Sequence, residues 1–197
     1  MAQQSLLPGF EPEPTPTDRV FFALMPDEAA IAQVGQRTRA LREAYPIRGR
    51  AIDTRRLHIS LNNLGDHPAM PERLVARACA AAATLALPPF RVSLDQALTF
   101  SNKSRVARHR PLVLRGDDGV AGVHALHQAL SKVLLAAGLP GAAASFTPHL
   151  TMLYDDLLVP PHAVAPVEWT AHSFVLLHSL IGHGGPYTVL GQWPLRA

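Results

Sequence analysis

A single cysteine, Cys79, occurs in this chain of 197 residues, which excludes an intramolecular disulfide and any zinc site built from several thiolates. Its alanine-rich surroundings make it a small core filler. Charged residues are sparse, at 17%, whereas 48% of the chain is hydrophobic, so a sizeable core is within reach of one domain. No apolar run approaches the ~20 residues of a membrane span. Met1 to Asp18 also lacks the basic start and apolar stretch of a secretory signal, so the expected location is the cytoplasm. Further absences narrow the chemistry. There is no Gly-rich phosphate loop of the Walker type, no Gly-x-Ser-x-Gly elbow, no His-Glu-x-x-His and no pair of carboxylates in a shared apolar setting. Asp155 and Asp156 are adjacent, and adjacent strand residues point apart.

What the chain does contain is one pattern used twice: Leu57-His58-Ile59-Ser60-Leu61-Asn62 and Pro148-His149-Leu150-Thr151-Met152-Leu153. In each, a small hydroxyl residue follows a His by two places, with large apolar residues between. On a strand that spacing puts His58, Ser60 and Asn62 on one face and Leu57, Ile59 and Leu61 on the other, and likewise pairs His149 with Thr151. The chain has 10 His, yet only these two have Ser or Thr two places on. His124 and His127 have helical spacing but no nearby acidic or third ligand, so they are read as helix surface and no metal site is expected.

In chain order, residues 1–18 hold Pro8, Pro12, Pro14 and Pro16 and read as a flexible tail. Residues 19–197 form the single folded domain. Arg19 to Leu24 is a buried strand; Pro26-Asp27-Glu28 opens a helix to about Tyr45, with Ile31, Val34, Thr38 and Leu41 on its stripe. The first His strand spans Leu57 to Leu64, closed by Gly65-Asp66. An Ala-rich helix runs from Pro71 to about Leu87, and strands follow at Phe90 to Leu94 and Pro111 to Arg115. A helix carrying Val123, Leu126, Leu130, Val133 and Leu134 ends at Gly138, before the second His strand. Ser173 to Ile181 and Tyr187 to Leu190 form a closing hairpin. Strand, helix, His strand thus occurs twice, and the pattern suggests a duplication in architecture.

The net charge of +3 favours a polyanion only where charges cluster. Two clusters exist: Arg48, Arg50, Arg55 and Arg56 lead into the first His strand, and Lys103, Arg105, Arg108 and Arg110 crowd one loop-like stretch after Phe100. Arg55, Arg56, Lys103, Arg105 and Arg108 are candidate RNA contacts, and Phe100 a candidate stacking platform. Two facing His, with ordinary pKa values near ~6.5, supply an acid and a base together at neutral pH. Opening a cyclic phosphodiester needs both, with Ser60 and Thr151 donating to the phosphate oxygens and no metal or other cofactor required.

These residues resemble the two-histidine phosphoesterase superfamily, and within it the bacterial RNA 2′,3′-cyclic phosphodiesterases, also called 2′-5′ RNA ligases. Arg19-Val20-Phe21-Phe22-Ala23-Leu24 with Pro26-Asp27 is similar to the family's opening, Phe146 to Thr151 to its second motif, and Ser179 to Leu195 to its Tyr and Pro-Leu ending. Ser60 stands where Thr is usual, and Met152 and Tyr154 stand in a stretch where relatives carry Leu and then Arg. The resemblance implies an α+β bilobal fold, two similar lobes each with an antiparallel-rich sheet and helices, around a central cleft carrying both motifs. It implies His58 as proton donor, His149 as proton acceptor, and Ser60 and Thr151 as phosphate-holding residues. The expected substrates are RNA ends or nucleotides bearing cyclic phosphate, opened to 2′-monophosphates with 2′-5′ ligation as the reverse; no membrane partner and a monomer are expected. Small cyclic nucleotides as substrates, or a non-catalytic RNA-end-binding module, are the competing readings; intact His in both motifs favours the enzyme, since Arg serves mere phosphate binding better.

Overall fold

The two His strands lie side by side at the centre of an eight-stranded sheet ordered β6-β3-β4-β5-β2-β1-β7-β8. The computed structural model describes residues 14–100, 109–141 and 145–196. The strands are β1 (Asp18–Leu24), β2 (Ile59–His67), β3 (Phe90–Thr99), β4 (Arg110–Arg115), β5 (His149–Asp155), β6 (His162–Ala171), β7 (Ser173–Leu180) and β8 (Thr188–Pro194), and the helices are α1 (Glu28–Ala44), α2 (Glu72–Ala82) and α3 (Ala121–Ala136). Neighbouring strands are antiparallel. A single residue pair among the described residues, Ile59 opposite Leu150, joins β2 to β5. The sheet therefore divides there into two four-stranded halves, the bilobal α+β arrangement expected. The units β1-α1-β2 and β4-α3-β5 repeat one order of elements, with each His strand innermost in its half.

The helices tie the halves together. α1 starts where Asp27 Oδ1 accepts from the Ala30 N–H at 2.8 Å, with Glu28 in the first turn, and Pro46 follows its end. Although β1 and β2 flank it in sequence, α1 packs against β6 of the other half, where Arg37 Nε donates to Ala165 O at 2.7 Å and Gln33 accepts from Glu168 N at 2.9 Å. α3 in turn covers β2 and β3. One core results, with Phe22, Leu24, Ile59, Leu94, Leu112, Leu150 and Phe174 packed together from both halves.

Several boundaries differ from the sequence reading. Asp18, assigned to the tail, is the first residue of β1; it is buried and accepts from His178 Nε2 at 2.6 Å. β2 runs through Gly65-Asp66 to His67, because Gly65 adopts φ 109°, which a glycine takes readily. α2 stops at Ala82, where Thr84 Oγ1 bonds back to Ala81 O at 2.7 Å and the chain tightens. β6 was not anticipated. Its Pro166 argues against a strand, but β6 is the sheet edge, and its pairing with β3 slips between Leu94 and Gln96.

Two bulges matter more. Phe21 and Ala23 on β1 oppose Asn63 and Ser60 on β2, so two steps of one strand face three of the other. The alternation slips, and Asn62 leaves the His58 and Ser60 face on which it was expected. It is buried instead, donating through Nδ2 to Ser131 Oγ of α3 at 2.8 Å. On β5 a second slip falls between Leu112 and Val113 of β4, which pair with Leu153 and Thr151. Met152 and Leu153 are consequently both buried, and Tyr154 is exposed. His127 is likewise no surface residue: it is 5% exposed and stacks on Phe146 at 3.7 Å. Cys79 is half-buried beside the core. Among the described residues no helix is long and apolar enough to cross a membrane.

Candidate active site

Extending the Ile59–Leu150 register by one residue sets Ser60 opposite His149 and Thr151 opposite His58. The two His are therefore diagonal, each beside the other strand's hydroxyl, on the face away from the core. All four line one cleft of about 270 Å³. Phe21 also lines it and belongs to a small apolar cluster with Ala23, Val175 and Leu177.

Both His are held the same way. His58 Nδ1 lies 2.7 Å from Arg56 O, and His149 Nδ1 lies 2.8 Å from Thr147 O, each the carbonyl two residues back. A carbonyl only accepts, so each Nδ1 carries its proton and each Nε2 is the atom that gains or loses one. In His58 that Nε2 is 3.0 Å from Ser60 Oγ, whose hydroxyl donates to the neutral ring. Phe21 and Tyr187 flank the His58 ring at 5.2 and 5.3 Å, and Phe100 meets the His149 ring edge-on at 4.8 Å. Burial pushes the His58 pKa below its ordinary value, the hydrogen bond to the Arg56 carbonyl opposes it, and electrostatic repulsion from the His149 side and from the Arg56 guanidinium adds to the lowering.

The cleft has two cationic walls. Arg19 is gripped by Asp66, with Nε and Nη2 donating to the two carboxylate oxygens at 2.6 and 2.7 Å, so its charge is already matched. Arg56 lies with its guanidinium 4.6 Å over the Tyr187 ring and donates from Nη1 to Gly185 O at 2.7 Å. Arg55 is placed outside this cleft. It donates from Nε and Nη2 to Asp53 at 3.0 and 2.7 Å, and that pairing holds the Asp53 carboxyl well below the usual carboxylate range. Lys103, Arg105 and Arg108 lie outside the described residues. Phe100 contacts the site through His149. Sequence reasoning missed Arg19, Tyr154 and Tyr187 as cleft residues. For Arg19 the signal was there, because β1 alternation places it with Phe21 and opposite the core residues Val20 and Phe22. For Tyr154 it was not, since the bulge had reversed the count.

A family profile described as the 2′-5′ RNA ligase superfamily matches residues 25–179, a span that includes both His strands. The chain belongs to the 2′-5′ RNA ligase superfamily. Among solved structures, E. coli LigT in apo form is similar with a TM-score of 0.66 at 25% identity, covering 93% of this chain and 100% of that one. The same protein complexed with 3′-AMP gives 0.69 at 25% identity over the same shares. TT0787 of Thermus thermophilus gives 0.70 at 26% identity, over 91% of this chain and 98% of that one. A search of curated proteins found no match. The superfamily assignment agrees with the fold, in which two His strands from two halves share a cleft.

Proposed function

We propose that this superfamily member is a metal-independent phosphodiesterase that opens 2′,3′-cyclic phosphate ends of RNA to 2′-phosphomonoesters, with 2′-5′ ligation resulting when an RNA 5′ hydroxyl takes the place of water and the 3′ oxygen again leaves. The observation that carries the reading is the matched pair of imidazoles, each pinned through Nδ1 to a backbone carbonyl and each lining the same cleft. Such pinning fixes the tautomer and orients the reactive nitrogen; His162 Nδ1 meets Pro160 O in the same way at 2.9 Å but lies outside this cleft, so the shared cleft is what sets His58 and His149 apart. Support also comes from E. coli LigT, which has been crystallised with 3′-AMP and with phosphate.

In the proposed reaction a water oxygen bonds to phosphorus while the bond from phosphorus to the ribose 3′ oxygen breaks. His149 Nε2 takes the proton from the water, and His58 Nε2 gives one to the 3′ oxygen, so the protein ends with its protons exchanged between the two rings. Ser60 and Thr151 donate to the non-bridging oxygens, where charge builds up. The cleft by itself biases His58 toward its neutral form. An arriving phosphate anion opposes that bias, since an opposite charge nearby favours the protonated ring, so substrate binding itself loads the acid. Arg56 adds positive charge beside His58 in the same cleft.

The test is incubation of the protein with an RNA bearing a 2′,3′-cyclic phosphate end, in the presence of a chelator, with the product identified by phosphorus NMR. Appearance of a 2′-monophosphate resonance supports the reading; an unchanged cyclic resonance at high protein concentration overturns it.

A further inference from the structure

The cleft continues beyond Arg56. A second cavity of about 380 Å³ adjoins it, with Ile52 and Arg56 lining both and Arg50, Asp53 and Gly184 bounding the far side. Its charges are arranged for an anion. Arg50 is exposed and has no ion-pair partner among the described residues. The carboxylate at the rim, Asp53, is taken up by the Arg55 side chain and also accepts from the Arg55 N–H at 2.9 Å, so its charge is met before a ligand arrives. Arg56 covers Tyr187 with one guanidinium face and donates to Gly185 O at 2.7 Å and Tyr187 Oη at 3.4 Å, so of its five N–H groups others remain to donate to a ligand.

On the other flank, beside Tyr154, the adjoining cavity of about 290 Å³ is lined by Asp155 and Asp156 as well as by Arg48 and His109. Two carboxylates there disfavour a phosphate, even though Asp155 accepts from the Arg48 and Gly49 N–H groups. Among the described residues the two exits from the central cleft thus differ in charge balance, and a polyanion leaving it is drawn past Arg56 toward Arg50.

We infer that the Arg50 cavity holds the phosphodiester on the 5′ side of the terminal nucleoside, so that this protein selects the end of an RNA chain over a free mononucleotide. The inference rests on the proposed cyclic-phosphate reading for its register. With the terminal phosphate between His58 and His149, the next phosphate of the chain lies one nucleoside away, and the terminal nucleoside spans the Arg56 wall.

Binding of product-like ligands tests this without turnover. Calorimetric affinities would be measured for a nucleoside 2′-monophosphate, the corresponding nucleoside 2′,5′-bisphosphate and a dinucleotide ending in a 2′-phosphate. The proteins would be wild type, Arg50→Ala and Arg39→Ala, the last an exposed α1 arginine lining neither cavity. The dinucleotide should bind wild type about tenfold tighter than the monophosphate, the lower range for one charge-assisted contact at an exposed site. Its affinity should fall more steeply with salt, by about 0.7 in the logarithmic slope for one added phosphate. Arg50→Ala should erase both differences, and Arg39→Ala should keep them. Equal affinities in wild type, or a preference that survives Arg50→Ala, would overturn the inference. The bisphosphate should share the dinucleotide's gain and lose it in Arg50→Ala, because its 5′ phosphate takes the same position, and a bisphosphate no tighter than the monophosphate would also overturn the inference. Hydrolysis is followed separately: a protein that prefers the dinucleotide yet opens no cyclic phosphate removes the phosphodiesterase reading and keeps this subsite.

Discussion

Replacing Phe21 by Ala should raise the pKa of His58 while leaving His58, His149, Ser60 and Thr151 in place. Phe21 is 5% exposed, and its ring lies 5.2 Å from the His58 ring, with the Tyr187 ring 5.3 Å from both as a second cover. Burial is the largest cause of the depressed His58 pKa, so removing one of its two aromatic covers admits water and moves the midpoint back toward ~6.5. Each pH unit regained corresponds to about 1.4 kcal/mol of recovered solvation of the charged ring. The change also costs stability. A fully buried Phe→Ala loses about 3–5 kcal/mol, and the low end applies here, because Phe21 belongs to a cluster of only four buried residues at the cleft and not to the main core. The linkage has a definite sign. A His whose folded pKa is depressed leaves the unfolded chain binding more protons, so its contribution is lost as pH falls through the unfolded value near ~6.5 and below it. Phe21→Ala should therefore be less stable at neutral pH but lose less of its remaining stability on acidification. The assay is a proton NMR titration of the His ring signals in both proteins, with His58→Gln to assign the resonance, alongside denaturant melts across the same pH range. A wild-type His58 midpoint at or above ~6.5, or one that stays put in Phe21→Ala, would refute the reasoning.

His58→Ala and His149→Ala should each lower turnover of a 2′,3′-cyclic phosphate by about 10²–10⁴-fold with the fold retained, as read by initial rates and circular dichroism; near-full activity in either would make that His structural. Ser60→Ala and Thr151→Ala should be milder, each removing one hydrogen bond to a charged oxygen worth about 1.5–3 kcal/mol, and a loss as large as that of the His variants would mean the roles are misassigned. The rate should follow a bell-shaped pH profile that survives EDTA, falling on the acid side as His149 gains a proton and on the alkaline side as His58 loses one. Replacing either His should displace its own limb in the residual rate; loss of activity in EDTA that zinc or manganese restores would point to a metal enzyme instead.

The strand alternation alone paired His58 with Ser60 and His149 with Thr151, and the composition alone predicted one folded domain without disulfides. Both readings are local: side-chain direction along a strand has period two, and helix caps such as Asp27 act within one turn, so neighbouring residues suffice. The same locality is why the count failed beyond each motif. The bulges that send Asn62 to α3 and expose Tyr154 are set by how β1 and β4 register against the His strands, which no window of β2 or β5 contains. Pro166 similarly reads as a strand breaker until the topology makes β6 an edge. Only the tertiary structure brought Arg19 and Tyr187, from near opposite ends of the chain, to the walls around His58, and only there does Arg55 turn aside to Asp53 while Arg56 faces the cleft. Those placements follow from strand order and from charges finding partners in space. The chain's own periodicity settles which face a residue takes on its strand, and the neighbours that fold beside that strand settle what the face meets.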